Sequence, residues 1–160
     1  MSQADLSGTA QGYNLVSFME SHDEERINYD GQWSYDGSSI PFSTRIERAK
    51  LNAAFFLLSP GPRMIWQFGE IGYDISIEEN GRTGEKPVKT AEYMAVPARK
   101  GLYDTYAALL KFRKENPRFF DSDAAFRWYA GTSNFPGKYL FNQVDGKNIA
   151  IFANFGKGAQ

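Results

Sequence analysis

The residues best suited to chemistry stand in two short clusters. Met19-Glu20-Ser21-His22-Asp23-Glu24-Glu25-Arg26 carries the only histidine of the chain beside a carboxylate, and Gly69-Glu70-Ile71-Gly72-Tyr73-Asp74 carries a second acidic group. A carboxylate such as Asp23 can stabilise positive charge developing on a substrate, and a histidine such as His22 can donate to a hydroxyl. The same residues also make an ordinary solvated cluster at a strand end, with His22 capping a loop. Residue types alone leave both readings open. One histidine excludes a histidine-rich metal site and a HExxH zinc helix. The absence of cysteine excludes a disulfide framework, a thiolate metal site and a cysteine nucleophile. There is no GxSxG elbow. Gly81-Arg82-Thr83-Gly84-Glu85-Lys86 has the residue types of a phosphate loop, but neither its spacing nor a strand-to-helix setting.

Both clusters must be delivered by the elements before them. Asn14 to Phe18 is a short apolar run opening into charge, the pattern of a buried parallel strand whose C-terminal end meets solvent. Residues 28–42, rich in Tyr, Trp, Gly, Ser and Asp, read as a loop. Thr44-Arg45-Ile46-Glu47 matches a capping box, and Ile46, Leu51, Ala54, Phe55 and Leu58 then recur at helical spacing. Ser59-Pro60-Gly61-Pro62 stops that helix, because proline cannot continue the hydrogen-bond ladder. Met64 to Phe68 is the next apolar strand. Strand, helix, strand is a βαβ unit, which brings His22, Asp23 and Glu70 to one sheet edge.

Residues 74–98 have no period, and such a loop is either functional or disordered. A helix over Arg99–Glu115, with Leu102, Tyr106, Leu109, Leu110 and Arg113 on one face, ends at Asn116-Pro117. The period then changes to two. Ala125–Ala130, Lys138–Val144 and Asn148–Phe155 read as strands, and Asp145-Gly146 signals a type I′ hairpin. A boundary near Phe120–Asp123 divides an α/β part, residues 1–120, from an antiparallel β part, residues 121–160.

The chain has 160 residues, 42% hydrophobic and 23% charged, which excludes a disordered tail. Its 18 Lys and Arg against 19 Asp and Glu leave no surplus to neutralise phosphates, so no nucleic-acid partner is expected. The longest strongly apolar run, Ala53 to Leu58, is too short for a membrane span. The opening MSQADLSGTAQG lacks the features of a signal peptide, and the compartment stays open.

Phe18 to Arg26, with a Phe before a His-Asp pair and an Arg three residues on, resembles the seventh-strand motif of the alpha-amylase-type glycoside hydrolases (glycoside hydrolase family 13). Pro60-Gly61-Pro62-Arg63-Met64-Ile65-Trp66-Gln67-Phe68-Gly69-Glu70-Ile71-Gly72 resembles the eighth-strand motif of the same family. The resemblance implies an α/β fold: the C-terminal part of a TIM (β/α)8 barrel, two βα units, followed by a partial antiparallel β domain. Residues 1–120 would then belong to the catalytic barrel and 121–160 to the start of the C-terminal all-β domain. It implies that Asp23 is the third family carboxylate, a transition-state stabiliser, and that His22 binds sugar hydroxyls. Arg26 would help organise the site, and Glu70 would be structural at the strand end. Trp33 and Tyr35, in the loop after the first motif, either stack on a sugar ring or tuck onto the rim. Ser21 stands where the family commonly has Asn, and Trp66-Gln67-Phe68 where tyrosines are common.

The parent enzyme implied is a retaining glycosidase or transferase acting on α-1,4-glucans: starch, glycogen or maltooligosaccharides. Such an enzyme needs a nucleophile and a general acid about 5–5.5 Å apart. No segment here resembles the motifs that carry them, so the chain is expected to be a fragment, inactive alone. The alternative is a non-catalytic glucan-binding or oligomerisation module. No cofactor and no metal are expected, since the usual calcium ligands fall mostly outside this segment. Unpaired strand edges predict a homo-oligomer.

Overall fold

Helix-forming stripes and proline stops shape most of the protein. The computed structural model describes residues 15–34, 36–129 and 137–155. In chain order its elements are β1 (Ser17–Phe18), α1 (Ile27–Asp30), α2 (Phe42–Leu57), β2 (Arg63–Met64), α3 (Thr90–Met94), α4 (Pro97–Glu115), β3 (Ala125–Tyr129), β4 (Gly137–Val144) and β5 (Lys147–Asn154). Short 3-10 turns cover Gly69–Ile71 and Pro117–Phe120.

In α2 the buried stripe is Ile46, Ala49, Ala53 and Leu57, at steps of three and four. The helix starts before the expected capping box, so Thr44 and Glu47 lie inside it; Glu47 Oε1 instead accepts from Lys50 Nζ at 2.7 Å. It ends at the Ser-Pro-Gly-Pro stop, where Gly61 has φ +88°. In α4, Pro97 takes the first position, where its missing N–H costs nothing, and Arg99, Leu102 and Tyr106 form the buried stripe.

The expected barrel fragment is not what the chain forms. Strands were expected over Asn14–Phe18 and Met64–Phe68, but β1 and β2 are two residues each, a parallel pair that no third strand joins among the described residues. A parallel strand needs neighbours on both edges and cover on both faces. Val16 and Phe18 have neither and remain 59% and 47% exposed. After Met64 the chain leaves the strand path: Phe68 takes φ +69°, Gly69 N–H donates to Trp66 O at 3.0 Å, and a 3-10 turn follows. Among the described residues the fold is four helices with a parallel pair and an antiparallel three-stranded sheet, not two βα units of a TIM barrel.

The chain divides into two compact units. Phe18–Phe56 and Arg63–Leu109 form one, with Ile46, Ala49, Ala53, Ile71, Tyr73, Leu102 and Tyr106 as its core. The other gathers Leu57–Pro62 and the described residues of Met1–Ser17 and Leu110–Gln160, around Leu57, Leu58, Phe120, Ala124, Leu140 and Val144. There the sheet runs β3-β4-β5, antiparallel throughout, with Tyr129 opposite Tyr139 and Tyr139 opposite Phe152. Asp145 (φ +50°) and Gly146 (φ +72°) make the left-handed turn that an Asp-Gly pair predicts. Arg113 donates to the carbonyls of Leu57 and Ser59, each at 2.7 Å, and to that of Gly61, satisfying acceptors left open where the preceding helix ends. Asn142, wholly buried in β4, donates from Nδ2 to Leu58 O at 2.8 Å.

Candidate functional site

The first cluster is built on a buried ion pair. Arg26 Nη1 donates to Glu20 Oε1 at 3.0 Å, and the other carboxylate oxygen accepts the Ile27 N–H at 3.0 Å, at the start of α1. Arg26 also donates to Gln67 O at 2.7 Å and lies 4.7 Å over the Tyr73 ring. Burial pushes the Glu20 carboxyl above its ordinary range, although the Ile27 N–H and the Arg26 charge both pull it down. Gly69 makes room for this carboxylate: a Cβ there would stand 2.5 Å from Glu20 Oε1.

Next to this base the chain turns outward. Ser21 Oγ accepts the Asp23 N–H at 3.1 Å and donates to a Glu24 carboxylate oxygen, a local turn of the kind serine favours. His22 and Asp23 project into solvent, their side chains 71% and 66% exposed, with Nε2 3.3 Å from Oδ2. The His22 ring lies 5.9 Å from that of Trp66, tilted by 47°. An imidazole and a carboxylate so placed can jointly hydrogen-bond adjacent hydroxyls.

The structure therefore brings His22 and Asp23 together and puts Arg26 elsewhere, buried in the ion pair rather than facing a ligand. Glu70 sits in the Gly69–Ile71 turn, where its charge acts on Glu20 and on Tyr106; burial first, then those two carboxylates, raises the Tyr106 phenol. Trp33 is 60% exposed and is held in its own small turn by a bridge to Ser39. Tyr35 lies outside the described residues. Among those residues no group of three His, Cys, Asp or Glu side chains converges as a metal site would need.

Three contributors were not singled out by sequence reasoning. Glu25, read there as part of a solvated patch, accepts from Ser76 Oγ at 2.6 Å, the Ile77 N–H at 3.0 Å and the Arg26 N–H at 2.8 Å. Burial would raise its carboxyl, but those hydrogen bonds outweigh it and hold the group below its ordinary value. Arg82 Nη2 donates to Asp23 O at 2.8 Å and lies 3.8 Å from Asp23 Oδ1. Lys86 ties its own loop together through several backbone carbonyls. The one signal for the last two was the lysine and arginine in an aperiodic, glycine-containing stretch.

The far end of that loop is anchored by a second network. Arg99 donates to Asp74 Oδ2 at 2.8 Å and stacks 3.7 Å over Tyr93, while Tyr93 Oη donates to Asp74 Oδ1 at 2.6 Å. Burial, helped by the Asp74 hydrogen bond and charge, pushes the Tyr93 phenol up to about 12. No protein-family model matches the chain, and no curated protein matches it.

Proposed function

We propose that this chain supplies the third-carboxylate segment of an alpha-amylase-type glycoside hydrolase acting on α-1,4-linked glucans. Asp23 stabilises positive charge at the anomeric centre and His22 holds sugar hydroxyls beside it. The observation that carries the reading is the exposed His22–Asp23 pair, 3.3 Å apart, within a sequence that resembles the family's seventh-strand motif. Retention needs a nucleophile and a general acid, and no segment here resembles their motifs, so the chain alone binds glucan without cleaving it. An exposed Trp33 favours binding as the function of the isolated chain.

Calorimetric titration with maltoheptaose tests the reading. Heat that fits a dissociation constant of about 1 mM or tighter, some 4 kcal/mol, is expected, and His22→Ala and Asp23→Asn each weaken it. No heat from the unmodified chain overturns the glucan assignment. Release of reducing sugar, lost in Asp23→Asn, overturns the inactivity. Uncovered apolar side chains at Val16, Phe18 and Phe152 also support self-association, and light scattering that finds only monomer at tens of micromolar (contacts of about 7 kcal/mol) refutes it.

A further inference from the structure

Within the loop of residues 74–88, residues 79–86 are wound around a single side chain. Lys86 Nζ donates to the carbonyls of Glu79 at 2.7 Å, Gly81 at 2.6 Å and Gly84 at 3.0 Å. Asn80 Nδ2 crosses the same turn to Glu85 O at 3.0 Å, and Asn80 and Gly81 take φ +58° and +77°. At Gly84 a Cβ would stand 1.9 Å from Asn80 O, so no other residue fits. Tyr73 Oη donates to Pro87 O at 2.7 Å and closes the base. Converging backbone carbonyls are the environment that oxygen-lined loops offer a hard cation. Here the ammonium group fills it.

The wound loop docks on the His22–Asp23 segment at two points. Glu25 grips Ser76 and the Ile77 N–H at one. At the other, Arg82 reaches both the carbonyl of Asp23, at 2.8 Å, and its carboxylate, at 3.8 Å, while its other nitrogen lies 3.3 Å from Glu78 Oε1. An aspartate side chain two-thirds exposed has rotamers to spare, and a guanidinium held from outside narrows them.

We propose that Arg82 is a positioning residue for the Asp23 carboxylate, carried on a loop that Lys86 holds in shape as a built-in cation. The inference rests on the glucan reading for what Asp23 does, but not for how Asp23 is held. Half-exposed ion pairs add little to stability, so loss of Arg82 leaves the fold intact and changes the site.

The test uses the full chain and three variants: Arg82→Gln, Arg82→Lys and Lys86→Met. In Arg82→Gln the carbonyl and carboxyl carbon resonances of Asp23 move while Tm stays within about 2 °C. Maltoheptaose binding weakens by about fivefold, and Arg82→Lys, which keeps a charged donor, recovers most of it. Lys86→Met raises the rate of tryptic cleavage after Arg82 by about tenfold, because the loop opens more often. Asp23 resonances unchanged in Arg82→Gln overturn the positioning role, and a wild-type cleavage rate in Lys86→Met overturns the built-in cation. Absence of maltoheptaose binding by the unmodified chain overturns only the glucan reading, and the Asp23 resonances still decide the role of Arg82.

Discussion

Two glutamates five positions apart respond to acid in opposite directions. Glu25 has its carboxyl lowered in the folded chain, so the unfolded chain takes up a proton first as pH falls. Its contribution is present above the unfolded value near 4.5 and is lost as pH drops through the lower folded value. Glu20, raised by burial, works against folding at neutral pH and stops doing so as pH falls through its raised value towards 4.5. Glu25→Gln should therefore flatten the fall in urea midpoint below about pH 5, and Glu20→Gln should remove the gain in midpoint that comes as pH falls from neutrality towards 4.5. Removing Arg26 is more severe. Arg26→Met leaves Glu20 buried without its partner and should cost about 3–5 kcal/mol in urea denaturation, with Glu20→Gln added to Arg26→Met restoring a large part. At this scale the sequence showed the pair that faces solvent but not the pair that holds it. Glu20 and Arg26 are ordinary charges until Gly69 and Gln67, more than forty residues on, close around them.

Among the elements, the two long helices α2 and α4 were legible, whereas the parallel strands and the short helices α1 and α3, which fall in stretches that read as loops, were not. Helix stops at Pro60-Gly61-Pro62 and at Asn116-Pro117 depend on local backbone chemistry, and both helices end there. The β4–β5 hairpin was legible for the same reason, since Asp145 and Gly146 dictate the turn by themselves. A parallel strand has no local cause. The apolar runs at Asn14–Phe18 and Met64–Phe68 had the composition for it, but with no flanking strand among the described residues they pair over two residues, Ser17–Phe18 and Arg63–Met64. The capping box failed for a related reason: helix α2 gained two residues before Thr44, which turned cap positions into helix interior. One element junction should be intolerant of change. Gly72 has φ +67°, and a Cβ would lie 3.0 Å from Ile46 Cδ1 and 3.3 Å from Leu102 Cδ2. Gly72→Ala should lower stability by about 2–3 kcal/mol, read as a shift in urea midpoint with an unchanged slope.

For the whole molecule, the core of the sheet-bearing unit contains one residue that an oily interior would not choose. Asn142 is wholly buried, and its amide nitrogen reaches Leu58 O while Oδ1 has no partner. Replacing it with leucine should leave stability within about 1–2 kcal/mol of the original, because the unmet Oδ1 goes while Leu58 O loses its donor, one unmet acceptor standing in for another. The larger effect concerns errors. If β4 slid by two residues against β3 and β5, every β4 side chain would keep its face, Leu140 and Val144 included, and it is Asn142 that would leave its acceptor. The amide thus works as an index mark, recognising one alignment of three strands and penalising its neighbours. A strand without such a mark has several near-equal alignments to sample. Asn142→Leu should then give an equally stable sheet whose amide spectrum shows doubled peaks along β4, the sign of a molecule that has kept its strength and lost its place.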